Sequence, residues 1–184
     1  MPPFAARSVT ARHWRSAALI GATLAIGVLG PAQGASAEPG KSLHAKLLGV
    51  FAFGPCPADA PADAACLHDE VRGALKNAGT VDGHFDVVID AAHANANGVA
   101  PIAKRGSFVA PDGDRLDVRA AGSFDVTPSP ARYTYTVAGG TGRFARASGT
   151  GTWLVPAPAV FDAATGRGEG DEFLDGTLEL HGGR

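Results

Sequence analysis

The chain has 184 residues, 45% of them apolar, with 16 Lys and Arg against 18 Asp and Glu for a formal charge of −2. A near-balanced, mixed charge without a Lys/Arg run excludes the electrostatic footprint of a nucleic-acid or anionic-membrane partner. The length fits one ordinary domain after a short leader.

The leader is predicted over residues 1–37. Arg7, Arg12 and Arg15 give a positive start, and Ala17–Gly30 is an apolar run of fourteen residues, short for a membrane span. Pro31 breaks the run, and Ala35–Ala37 offers the small residues a signal peptidase needs. No adjacent Arg pair precedes the run, so the expected export route is the general secretory one. Cleavage would leave one domain, 38–184, with thirteen Lys and Arg against eighteen Asp and Glu, a charge of −5. No later segment is long and apolar enough to span a bilayer, so no membrane partner is expected once the leader is gone.

In the domain, short apolar or alternating runs are separated by Gly, Pro, Asn and Asp, the pattern of an antiparallel sheet. Leu43–Phe53 is a first predicted strand, ended by "GPCP". Cys56 and Cys66 flank a Pro/Ala-rich loop that would not order itself. In an exported chain, a disulfide closing it is the expected state, contributing about 2–3 kcal/mol through the unfolded state. Cys66–Lys76 is a second strand, followed by turn residues Asn77, Gly79 and Gly83. "HFDVVIDAAH" then places Phe85, Val87 and Ile89 on one face and His84, Asp86, Val88 and Asp90 on the other.

"KRGSFVA", "PDGD" and "RLDVRAAGSFDV" form the clearest hairpin, with Asp112-Gly113 suited to the positive φ angles of a tight turn. Leu116, Val118 and Ala120 share a face, which turns Arg119 outward, as alternation also does for Asp86. "ARYTYTVAG" and "RFARASGTGTWLV" follow as strands, and "VFDAATGRGEGDEFLDGTLEL" reads as two strands around Thr165-Gly166 or as one after a loop. The fold class is therefore all-β, a small antiparallel up-and-down barrel of about eight strands, or a sandwich of the same strands. Many of the 25 glycines lie inside strand patterns, where they let strongly curved strands bend.

The stretch "VAGGTGRFARA" invites a different reading, because a Gly-rich loop after a strand can cradle a pyrophosphate. That geometry needs a helix after the loop. Here the chain continues "RFARASGTGTW", with Gly149, Thr150, Gly151 and Thr152 where the helix would be in mid-course. Glycine costs about 1 kcal/mol per helical position, so no helix is expected and no nucleotide cofactor with it. Gly139, Gly140 and Gly142 instead allow a tight or bulged reversal between antiparallel strands. Phe144 then returns to the core beside Tyr133 or Tyr135, and Trp153 closes the interior further along.

"GGTGRFARASGTG" resembles the Gly-Gly-Thr-Gly-Arg-Phe-x-x-Ala-x-Gly signature of the allene oxide cyclase and dirigent superfamily, in particular its bacterial secreted branch. "DVTPSPARYTYTVAGGTGRFARASGTGTW", "VFDAATGRGEGDEFLDGTL" and "GPCP…CLHDEVRGAL" extend the likeness over most of 38–184. The resemblance implies an eight-stranded barrel with an apolar interior, assembled as a homodimer or homotrimer. It also implies cofactor-free chemistry in which a shaped apolar cavity holds one conformer of a small molecule. The catalytic residues of those families lie outside the glycine motif, and none is carried over here.

The remaining chemistry is sparse. His44, His68, His84, His93 and His181 form no His-x-His or His-x-x-x-His pair, so no metal site is expected. "DGDRLD" lacks the late bidentate acid of a calcium loop and is better read as the hairpin turn. Ser123 and Ser148 lack a nucleophile elbow. Glu169, Asp171, Glu172 and Asp175 read as a solvated strand edge. Tyr133, Tyr135, Phe144 and Trp153 are the candidate contacts for an apolar ligand, while Arg72, Asp86, Arg119 and Glu172 are polar side chains to test for an inward orientation. Two function classes stay open: a binder, cyclase or isomerase acting on an apolar small molecule, and a non-catalytic envelope or extracellular module with a packed interior. A cavity above about 300 Å³ with one or two convergent polar groups favours the first.

Overall fold

A computed structural model describes residues 41–125, 130–158 and 160–181. The predicted leader, 1–37, lies outside the described residues. Nine strands follow in chain order: β1 (Lys41–Phe53), β2 (Ala65–Leu75), β3 (Gly79–Ile89), β4 (Val99–Val109), β5 (Arg115–Asp125), β6 (Ala131–Gly140), β7 (Thr150–Val155), β8 (Val160–Asp162) and β9 (Arg167–Leu178). Each of the first six pairs antiparallel with the next, β7 pairs with β9, and β9 returns to β1 from Lys41↔Leu178 to Ala52↔Arg167. The sheet thereby closes into an eight-stranded antiparallel up-and-down barrel. The short β8 takes up the edge of β9 over 167–169, beyond the reach of β7, which pairs with 173–176.

Alternation decides which side chains go in. Leu43, Ala45 and Leu47 of β1, Phe85, Val87 and Ile89 of β3, and Leu116, Val118 and Ala120 of β5 are all buried, with polar neighbours between them facing water. At that spacing each strand contributes an apolar row, and closure packs the rows against one another. Cys56 and Cys66 are disulfide-bonded, with Cα atoms 5.1 Å apart, and tie the β1–β2 connection to the start of β2. Arg105 on the outer face of β4 grips the same loop through two hydrogen bonds of 2.6 Å to Asp59.

Two local expectations change and one open alternative is decided. In the β4–β5 hairpin only Gly113 has positive φ (+86°), and Ala110 both accepts from Gly113 N–H and donates to the Asp114 carbonyl. The loop is thus a longer turn closed by one left-handed glycine, because Asp112 does not take a positive φ and its carboxylate accepts the Asp114 N–H. The final stretch is a three-residue strand, a turn in which Asp162 accepts from Thr165 and Gly166, and a twelve-residue strand.

The second change concerns the glycine motif. After β6 the backbone does not run straight into the next strand. Gly142–Phe144 makes a single 3₁₀ turn, and extended pairing resumes only with the Ser148↔Glu179 bridge and β7. This excursion carries Phe144 across the end of the barrel, where the ring is fully buried beside Ala147. Gly142 has φ +51°, and a Cβ there would lie 1.7 Å from Asp114 Oδ1. The same Asp114 carboxylate accepts the Arg143 N–H, while the Arg143 guanidinium stacks over Phe144 and donates to the Ala78 carbonyl. The motif closes one end of the barrel.

Candidate functional site

The two ends differ. At the plugged end the interior is solid, filled by Leu43, Leu75, Val81, Phe108, Leu116, Phe144 and Leu178. Toward the other end, where β1, β3, β5 and β7 finish, the barrel holds a cavity of about 380 Å³. Phe51, Leu67, Val87, Ile102 and Phe124 form its walls, and Pro156–Pro158 with Phe161 border its mouth. Only four of its lining residues carry polar side chains: Asp69, Lys104, Tyr133 and Glu172. In strand register these lie deepest, so the cavity is apolar at the rim and polar at the floor.

The floor is an ion triad. Lys104 Nζ donates to Asp69 Oδ2 and, at 2.9 Å, to Glu172 Oε2, and all three side chains are at most 5% exposed. Glu172 Oε2 also accepts the Trp153 indole N–H at 2.6 Å. The ammonium stands 3.7 Å from the centre of the Trp153 ring, a buried cation–π contact. Beneath it Phe85, Phe108 and Trp153 interlock, with Phe85 edge-on to both partners at 5.0 Å. The second oxygen of Asp69, Oδ1, is buried and has no hydrogen-bond partner.

Two carboxylates share one lysine, so the fully ionised floor would carry one excess negative charge in a dry site. Burial pushes the Glu172 carboxyl up to about 7; Lys104 opposes the rise and the Asp69 charge adds to it. Near neutral pH the Glu172 carboxyl is therefore partly protonated, and the floor can give up or take up that proton. Burial, with Glu172 and Asp69 nearby, drives Tyr133 far above the ordinary tyrosine range and leaves its hydroxyl a neutral donor. A proton donor–acceptor pair and a neutral phenol at the end of an apolar pocket can move a proton on a bound molecule and hold its polar end in place.

Of the sequence candidates, Tyr133 lines the cavity. Trp153 touches it through Glu172, while Tyr135 and Phe144 are buried in the packed half and do not line it. The acidic segment is not uniformly solvated. Glu169, Asp171 and Asp175 are exposed, but Glu172 falls on the inward phase of β9 between Gly170 and Leu174 and stands against Gly49, where no side chain occupies the space. Arg72 and Arg119 are exposed, Asp86 is half-buried on the outer face, and all five histidines of the domain are exposed. Among the described residues no cluster of His, Cys, Asp and Glu could hold a metal ion.

Asp69 and Lys104 were absent from the sequence candidates. Their signal was parity: Asp69 sits between Leu67 and Val71, and Lys104 two residues after Ile102, so each occupies an apolar phase of its strand with opposite charge. No family model matches the chain, and no curated protein matches it in sequence.

Proposed function

We propose that the open half of the barrel binds one apolar small molecule by its hydrophobic body and reads a single polar group at the floor. The observation that carries this reading is a cavity of about 380 Å³ whose only polar side chains are the buried Asp69–Lys104–Glu172 triad and Tyr133. Buried ion triads are often no better for stability than apolar residues of similar volume, so their retention at a cavity floor favours a binding role. The reaction class that fits is a cofactor-free isomerisation or cyclisation, with Glu172 exchanging a proton and Tyr133 donating a hydrogen bond. The resemblance to the allene oxide cyclase and dirigent superfamily supports the same class, and the leader and disulfide support export. That resemblance also makes a homodimer or homotrimer the expected assembly.

The packed half, solid with aromatic and aliphatic side chains, favours the second reading, a non-catalytic module. Native mass spectrometry of the protein isolated gently from its own host separates the two and reports the assembly. A bound small molecule lost on collisional activation is the expected result. A clean apo mass, together with no shift on adding apolar probes, would remove the binding reading and leave the module.

A further inference from the structure

Resting on the reading that the open half holds a ligand, we infer that the cavity selects an apolar primary amine, whose ammonium completes the floor as a second cation. Three observations carry this. The floor holds two carboxylates and one lysine, so its charge is balanced only by a bound proton or another cation. Asp69 lines the cavity, and its Oδ1 is buried with no hydrogen-bond partner among the described residues, an acceptor whose orphaned state is costly. The wall above is aliphatic and aromatic, with Phe51, Phe53, Phe124 and Tyr133 among its residues, which suits a hydrocarbon body and the faces of rings near a cation. A carboxylate ligand would meet two acidic side chains instead.

The polar groups facing Glu172 are Asp69 from β2, Lys104 from β4, Tyr133 from β6 and Trp153 from β7; β1 presents Gly49 and Leu47 there and no titratable group. The ligand ammonium therefore displaces the carboxyl proton rather than competing with another base. An amine that arrives protonated leaves Glu172 ionised and releases that proton to solvent. An amine that arrives neutral takes the proton from the Glu172 carboxyl, with no net release. No bond to carbon is made or broken.

The test is calorimetry of the full chain with four probes that share one ring: cyclohexylamine, cyclohexanol, cyclohexanone and cyclohexanecarboxylate. Titrations at about pH 6 in two buffers of different ionisation enthalpy count the protons released. The amine should bind about tenfold or more tighter than the ketone, releasing about one proton, with the carboxylate weakest. Glu172→Gln should lose the proton release and the amine's tenfold preference over the ketone; the proton count in the unaltered chain stands even if that variant folds poorly. Equal binding of all four, or amine binding without proton release, overturns the amine preference but keeps the cavity reading. Binding of none of the four removes both.

Discussion

The two ends of this barrel are built from the same alternating strands and end in opposite states. At one end the Gly139–Gly149 connection folds inward and seats Phe144 with no exposure, and every inward row is filled. At the other, Phe53 and Phe161 remain half exposed beside a mouth bordered by Pro156–Pro158, and the interior stays open down to the triad. Stability therefore rests on the plugged half, which leaves the open half free to keep an empty volume and a set of buried charges. The boundary between them is the Asp69–Lys104–Glu172 layer resting on Trp153, Phe85 and Phe108.

The largest effects should come from breaking that layer or the plug. Lys104→Met keeps the aliphatic stem but strands two carboxylates, which should cost about 3–5 kcal/mol in urea unfolding at neutral pH. The loss should shrink in mild acid as the carboxyls protonate; an equal loss at both pH values would mean that packing, not charge, holds the layer. Phe144→Ala should cost about 3–5 kcal/mol by opening a cavity under the plug, against about 0.5 kcal/mol or less for Phe161→Ala at the mouth. Comparable losses for the two would erase the distinction between the ends.

An intermediate effect is expected from pH. Glu172 has its folded ionisation raised from the ordinary 4.5 to about 7, so the fold favours the protonated form. Its contribution is complete below about 4.5 and is lost as pH rises through about 7. Asp59, Asp117 and Asp162 work in the opposite sense: each is held below the ordinary 3.8, so their contribution is lost only in stronger acid. Between these windows, the unfolding midpoint should fall as pH rises from 5 to 8, and Glu172→Gln should flatten the slope. A slope unchanged in that variant would assign the titration to another group.

The strands were legible because inward and outward residues differ sharply in character, as in "RLDVRAA", and because Gly and Pro punctuate the runs. The disulfide was legible from the expected leader and from a Pro/Ala-rich loop that needs a tie to order it. The triad was not, for a physical reason. Lys104 lies 35 residues from Asp69 and 68 from Glu172, and each breaks the apolar phase of its own strand singly. Only barrel closure brings the three together. A search for opposite charges standing in inward phases would have found them, whereas treating "GEGDEFLD" as one acidic segment hid the one carboxylate that points in. The plug was half legible: the glycines allowed Phe144 to return to the core, but one 3₁₀ turn is too short to leave a periodicity.

The smallest effect is the sharpest test of the packed half. The Tyr135 hydroxyl is buried there without a hydrogen-bond partner, and burial together with the Asp175 charge lifts its ionisation to about 12. An unsatisfied buried hydroxyl has lost its water and gained nothing in exchange, so Tyr135→Phe should leave stability unchanged or raise it by about 1 kcal/mol. Tyr133→Phe two residues earlier removes a hydroxyl from the cavity side, where the expected change is in ligand affinity with stability altered by about 0.5 kcal/mol or less. If Tyr135→Phe instead lowered the unfolding free energy by more than about 1 kcal/mol, an ordered water would have to be satisfying that hydroxyl. The plugged half would then be wet, and the contrast between the two ends would narrow to the position of the charges alone.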